Sequence, residues 1–501
     1  MKNLHTKALI WLLVGVTITG CTLAFDDIET KGSFTPEIAI PLLETQYRLG
    51  DLMKGLGAND YLQIRPDGQL EMQFKGSFSD AQMLNVLSSL PTVTIPAPNP
   101  IIFVPFPNPS GMKIESIDLK KGIFKWTMTN NNTAAATVTV TFFSLTKNSV
   151  PFEQTFSMFQ GQTISLGMDM NGWKLEANAL GNISIGYKAI VGGGESRLSD
   201  VSYEISGMDA KKTVGYFGRS SISLKRQDLA FDFFKKWSQS GDVRFSDPSL
   251  SITVENGFGF PVSIKSQMAE ITKKDGSKLG ITGELSTGVV LNYPNFTEMG
   301  KTKQTIINLT KQNSNIVDVI NAYPTSVALV LNVLTNPDST NKQSGFVLDD
   351  AGVKFKIDAN IPLIAAAKNF VFLDTLDINF NDFSDIRSAE FKVITDNTLP
   401  VDIGMQAYFM SSSYTFIDSL TTGSQALILK SANTFNGQVV SMSSNTTFVN
   451  MDDLRFRNIK NARKIVVKSI LSTALDGSVP VFLKADQKFL IRIGLRAKTK
   501  I

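Results

Sequence analysis

Apolar residues in this chain alternate with polar ones at a period of two far more often than they recur at helical spacing, so strands should dominate. Leu62 and Ile64 precede Pro66-Asp67-Gly68, and Leu70, Met72 and Phe74 follow it, which predicts an antiparallel hairpin with one dry face. Farther along, one pattern occurs three times. Phe124, Trp126 and Met128 alternate up to Asn130-Asn131-Asn132, after which Val138, Val140 and Phe142 alternate with Thr137, Thr139 and Thr141. Leu250, Ile252 and Val254 lead to Asn256 before a restart at Pro261-Val262-Ser263-Ile264. Phe391 and Val393 lead to Asp396-Asn397 before Leu399-Pro400-Val401-Asp402-Ile403. In each copy a strand meets an Asn-containing turn and a second strand returns, which reads as a hairpin. Counted from Asn132, Asn256 and Asn397, the copies lie 124 and 141 positions apart, a spacing that suits one β-sandwich each.

Helix is scarce. Ser314 could cap one short helix with Ile316, Val319 and Ile320 on a single face, ending before Pro324. Asp228 to Trp237 fits a helical face and a strand equally well. The expected fold is therefore mostly all-β: tandem antiparallel, immunoglobulin-like sandwich modules. The segments drawn from the pattern are a signal peptide at 1–20, a tether at 21–35, an N-terminal β region with a proline-rich strap at 36–110, and sandwich modules at 111–245, 246–370 and 371–501. Seven of the nineteen prolines fall between Pro91 and Pro109, so that strap cannot join the middle of a sheet. Its apolar residues Ile101, Ile102, Phe103, Val104 and Phe106 suit either a strap over the domain's own core, which is the expectation, or a sticky loop for a partner or a bilayer.

The N-terminus sets the compartment. Lys2 and Lys7 precede an apolar run from Ala8 to Ile18, which is too short to span a bilayer and reads as a signal peptide. Ile18-Thr19-Gly20-Cys21 follows it and resembles the lipobox of bacterial lipoproteins, which implies cleavage before Cys21 and diacylation of its thiol. Cys21 is the chain's one cysteine. Two acyl chains, at about 0.8 kcal/mol per buried CH₂, hold a protein to a membrane almost permanently. The expected location is the cell envelope, anchored to the outer membrane and open to display at the cell surface. Pro36-Glu37-Ile38-Ala39-Ile40-Pro41-Leu42, Leu49-Gly50-Asp51-Leu52 and the segments Phe391 to Leu420 and Arg455 to Lys498 resemble a family of Bacteroidetes outer-membrane lipoproteins without established activity. Leu250 through Asn256, Phe260-Pro261-Val262 and Asp275-Gly276 are similar to late-embryogenesis-abundant type 2 domains, which implies a small immunoglobulin-like sandwich.

The single histidine, His5, lies in the signal peptide, so the mature chain has no imidazole. Ser-His-Asp and Cys-His catalysis and the common zinc sites are excluded on that ground. Carboxylate glycosidase chemistry, Ser-Lys catalysis and oxygen-ligand calcium sites survive. Asp377, Asn379, Asn381, Asp382 and Asp385 resemble the start of an EF-hand loop, but Asp382 stands at the required glycine and Ser388 at the bidentate glutamate; a strand with one wet face accounts for the spacing. Asp349-Asp350 and Asp452-Asp453 are adjacent pairs that would point to opposite faces of a strand. Trp126 is expected in a core, whereas Trp173, after Asn171-Gly172, could stand at a loop tip and contact a glycan. Asp374-Thr375-Leu376 and Asp418-Ser419-Leu420 match the short Bacteroidetes O-glycosylation pattern. Residues 451–501 carry twelve Lys or Arg and four Asp or Glu. Within them Lys488, Arg492, Arg496 and Lys498 fall on one face of a strand, either a solvated outer face or a stripe for an anionic lipid or glycan, joined by Arg455, Arg457 and Lys460. The expected role is a non-catalytic lipoprotein that binds a partner or supports an envelope assembly, with no cofactor, no metal and no nucleic acid. A carboxylate glycosidase or glycan-associated protein, and a lipid-binding module with an apolar groove, are the alternatives.

Overall fold

A computed structural model describes residues 37–51, 61–80, 91–106, 108–109, 111–231, 234, 241–377, 386–422 and 427–499. The signal peptide, Cys21, the tether and most of the EF-hand-like segment lie outside the described residues. The chain is 61% strand and 7% helix, an all-β protein as the alternation requires. The hairpin around Pro66-Asp67-Gly68 forms, with Leu62 opposite Met72, Ile64 opposite Leu70 and Gly68 supplying the positive φ of the turn; Leu70, Met72 and Phe74 are buried, whereas Ile64 is 52% exposed because the three-residue strand that carries it lies at the sheet edge.

Three two-layered units share one strand order. In the first, one layer runs Val93–Pro96, Ser199–Tyr216, Lys113–Thr129, Thr163–Asp169; the other runs Ile101–Pro105, Asn182–Val191, Ala136–Lys147, Val150–Met158. The short strand Lys174–Glu176 pairs into both layers and folds one continuous sheet back on itself, so that Phe124 meets Phe142 at 4.8 Å. The second unit runs Leu70–Asp80, Val353–Pro362, Ser249–Asn256, Lys303–Leu309 over a layer centred on Ser326–Thr335 and Val262–Thr272. The third runs Glu37–Arg48, Lys488–Thr499, Ile386–Asn397, Ser443–Met451 over Phe370–Asp377, Lys464–Thr473 and Val401–Met410.

The N-terminal strands therefore visit the units in reverse: Glu37–Arg48 joins the third, Leu70–Asp80 the second, and the two strap strands the first. The rest of the chain then completes first, second and third in order. Strand pairing runs across the segments drawn from the sequence. Alternation fixes which residues face inward, but it carries no information on which distant strand lies alongside. Two further crossings stitch neighbours together: Gly345–Leu348 pairs with Ser199–Tyr216, and Ile364–Lys368 bridges Asp242–Phe245 and Val481–Phe482.

The three Asn turns are not hairpins. In each copy the strands before and after the turn lie in opposite layers, so the turn is an arch over the end of the core. An arch buries its corner, and a buried corner needs its backbone groups bonded from inside. Asn130, Asn256 and Asn397 do this in the same way. Each is fully or almost fully buried, and each Oδ1 accepts from the backbone N–H two residues on: Asn132 at 3.1 Å, Phe258 at 3.0 Å and Leu399 at 2.7 Å. Each Nδ2 donates to carbonyls of another segment, as Asn397 does to Lys430 at 2.9 Å. Asn130, rather than Asn132, is thus the equivalent of the other two.

The short helix forms at Ile316–Asn321 with Ile316, Val319 and Ile320 buried as expected, although its N-cap position falls on Asn315 instead of Ser314. The ambiguous segment begins inside the strand Gln227–Ala230, and its residues 232, 233 and 235–237 lie outside the described residues.

Candidate functional site

The cationic strand of the C-terminus is the natural place to look for an interaction surface. Lys488–Thr499 is interior to its sheet, flanked by Glu37–Arg48 and Ile386–Asn397, so it is no edge. Its cations alternate onto the outer face, where Lys488 and Arg496 are exposed and Arg492 is half-buried; of the Lys498 side chain nothing is described. The neighbouring strands bring carboxylates to three of them. Arg492 is bonded to Asp396, and Glu44 is its register partner on the other side. Arg496 lies 3.7 Å from Glu390, and Lys498 stands in register with Glu37. Arg492 and Arg496 therefore sit among cross-strand carboxylates, whereas Lys488 stands in register with Arg48, so the stripe is charge-paired along most of its length and positive at the Lys488 end. Asp396 and Glu390 were visible beforehand as the polar alternates of Phe391 and Val393; only their pairing with the last strand was hidden.

Arg455 and Arg457 lie on a short helix, Asp453–Ile459, with Lys460 at its C-cap, which closes one end of the third unit. Asp452 is its N-cap, accepting from Arg455 N at 2.9 Å, and Asp453 pairs with Arg457 at 2.9 Å. The adjacent acids are thus cap and first-turn residues, where a helix favours negative charge. Arg455 reaches inward and grips Asp418 through Nε and Nη2, each at 3.1 Å, with both side chains 17% exposed. Ser419, the hydroxyl of the Asp418-Ser419-Leu420 pattern, donates to the Thr421 carbonyl at 2.8 Å. Lys460 lies over the Phe456 ring at 5.7 Å.

Trp126 is in the core, as expected, at 0% exposure. Its Nε1 and the hydroxyl of Tyr203, its cross-strand partner, are both buried without a hydrogen-bond partner. Trp173 is half-buried rather than presented at a tip: Phe152 packs edge-on against it at 5.8 Å, and the Lys147 ammonium sits 5.9 Å from its ring centre. A sugar would have to compete with that cation for the ring face. The strap divides its apolar residues between the two readings. Ile95, Ala97, Ile102 and Phe106 are buried, whereas Ile101 and Phe103 are exposed at 52% and 64% on an edge strand.

Carboxylate chemistry needs a cleft with two carboxyls, one of them held protonated. One cleft, about 320 Å³, is lined by Phe234, Val243, Lys273, Tyr323 and Phe370, with Asp275 the one acid among its described lining residues, and Asp275 is bonded to Ser277. A second cleft, about 130 Å³, holds Glu255 and Asp350. Lys356 lies 2.6 Å from Glu255 and holds its carboxyl below the usual glutamate value, the opposite of what a general acid needs. Asp349 is paired with Lys120 at 2.5 Å. Among the described residues no group of three or more acids, histidines or cysteines could hold a metal ion. No helix among them is long and apolar enough to cross a membrane.

No family model matches the chain, and no curated protein matches it in sequence. Among solved structures it is similar to a Parabacteroides distasonis protein described as secreted, at 15% identity and a TM-score of 0.35, over 57% of this chain and 89% of that one. It is also similar to infectious bursal disease virus structures: the Gt strain at 6% identity and TM-score 0.15, over 88% and 81% of the two chains, and the T13 particle at 9% and 0.15, over 79% and 72%. At those scores neither likeness says anything about what this chain does.

Proposed function

We propose that this protein is a lipid-anchored, non-catalytic lipoprotein of the bacterial envelope, acting as a binding or structural module. One observation carries the reading: the chain's lone cysteine stands immediately after Ile18-Thr19-Gly20, at the end of an apolar run too short to span a bilayer. The first described strand begins at Glu37, sixteen residues after Cys21. Sixteen residues can span at most roughly 50 Å at 3.3 Å per residue. The non-catalytic part is supported by the missing imidazole and by carboxylates engaged with lysines, arginines or turn donors. The test is fractionation of Cys21→Ser against the parent after growth with a labelled fatty acid. The parent takes up label and stays with membranes; Cys21→Ser takes up none and is recovered in the soluble fraction. A parent without label, or a variant that remains with membranes, refutes the anchor.

A further inference from the structure

Sheets must end somewhere, and an open strand edge invites pairing unless charge, proline or a bulge protects it. Among the described residues, six edge strands are seven residues or longer. Glu37–Arg48 carries Pro41, two glutamates and a register shift after Pro41. Val150–Met158 carries Pro151 and Glu153, Lys303–Leu309 begins with a lysine, Phe370–Asp377 has two aspartates, and Thr163–Asp169 has Gly167 and a terminal Asp169. Ser443–Met451 has none of these: Ser-Ser-Asn-Thr-Thr-Phe-Val-Asn-Met runs nine residues without charge, proline or glycine. Among the described residues it pairs on one side only, from Ala389 opposite Met451 to Asn397 opposite Ser443, with no register shift. Ser444, Thr446, Phe448 and Asn450 are exposed along it, Phe448 at 57%.

We propose that Ser443–Met451 is a self-association edge, to which a second copy of this chain adds its own Ser443–Met451 as an antiparallel strand. The sequence of the strand favours a copy of itself over other occupants. With a two-fold axis at Thr447, the position that lets all nine residues pair, Thr446 faces Phe448 of the second copy, Ser444 faces Asn450, and Thr447 meets Thr447. No charge meets its like, and the one large exposed apolar ring on the strand gains a β-branched neighbour in both directions, a favourable cross-strand pair. The result is an isologous, closed contact that joins two four-stranded sheets into one of eight. With the other five long edges among the described residues guarded, this contact closes as a dimer.

Residues 21–501 carrying Cys21→Ser keep every described strand and serve for the test. Sedimentation equilibrium from about 1 to 100 μM should show a monomer–dimer equilibrium. Thr446→Glu with Phe448→Glu, both on the exposed face, should raise the dissociation constant at least about tenfold by opposing like charges at two pairs. Mixing that variant with Thr446→Lys plus Phe448→Lys should restore a heterodimer. Thr447→Cys should cross-link on mild oxidation, because antiparallel partners lie about 4.5 to 5.5 Å apart at Cα, within disulfide reach. A protein that stays monomeric throughout, a dimer indifferent to the glutamate pair, or a monomer that takes up an extended peptide at this edge overturns the proposal.

Discussion

Glu37, the first residue of the first described strand, stands opposite Lys498, the next-to-last residue of the last described strand. Between Glu37–Arg48 and Ile386–Asn397 lies only Lys488–Thr499, so the sheet is closed by its final segment. A chain ending before Lys488 leaves Glu37–Arg48 without a partner and Ile386–Asn397 paired only with Ser443–Met451. Limited proteolysis of that truncation should cut within 37–48 and 386–487 while 113–362 stays protected, since that region's pairing is complete without it. Equal protection of both regions would contradict the strand order.

The three arch asparagines predict a matched set of stabilities. Asn130→Ala, Asn256→Ala or Asn397→Ala strands the N–H two residues on and one or more carbonyls at a buried or partly buried corner, and each should cost about 1–3 kcal/mol in denaturant unfolding. Asn397→Asp should be no better, because it removes the Nδ2 donor and leaves the Val401 and Lys430 carbonyls unmet. Asn433→Ala, at an exposed hydrogen bond to Ser441, should change stability by less than about 0.5 kcal/mol.

Stability should be flat across neutral pH. Glu255 is held below its usual value by Lys356, and Asp338 by Thr340, so their contributions are present above the unfolded carboxyl values and are lost as pH falls through the folded ones. Burial pushes the Tyr203 hydroxyl, and less strongly that of Tyr323, above the usual value of 10.0, so their contributions hold below that value and are lost as pH rises through the folded ones. Nothing in the mature chain has an imidazole to titrate between. A urea midpoint constant from about pH 6 to 9, falling on both sides, is expected; a step near pH 6.5 would contradict it. Tyr203→Phe should remove part of the alkaline fall at no cost at pH 7, since its hydroxyl has no partner to lose.

Charge reversal on the last strand distinguishes a paired surface from a ligand-binding one. Arg492→Glu with Arg496→Glu places carboxylates beside Asp396 and Glu390 and should cost about 1 kcal/mol, limited by solvent screening of partly exposed groups. Co-sedimentation with anionic vesicles should be the same for both proteins and insensitive to salt. Binding that weakens with salt and disappears in the double variant would make the stripe an anion-recognition surface.

Much of the local structure was legible beforehand, for identifiable reasons. Leu70, Met72 and Phe74 announced a dry strand face, and Gly68 its turn. Val138, Val140 and Phe142 lie inside, as their alternation with threonine required. What could not be read was pairing between remote strands. Nothing near Glu37 indicates Lys498, and nothing near Arg492 indicates Asp396, because the side-chain period gives a face and never a neighbour. The same limit turned three arches into apparent hairpins, since a turn residue looks alike whether the chain returns beside its strand or crosses over the core. At the candidate site, alternation placed the cations of the last strand on one face but could not supply the carboxylates that meet them. Trp173 followed a true turn at Asn171-Gly172, but Phe152 and Lys147, which cover its ring, come from other strands.

The most direct test of the central claim is mass spectrometry of the N-terminal peptide from protein extracted from the envelope of cells that export it. The account predicts a peptide that begins at Cys21 and carries the added mass of a diacylglycerol on its sulfur, absent from Cys21→Ser. An N-terminus at any other residue, or an unmodified Cys21 thiol in membrane-derived protein, would contradict it.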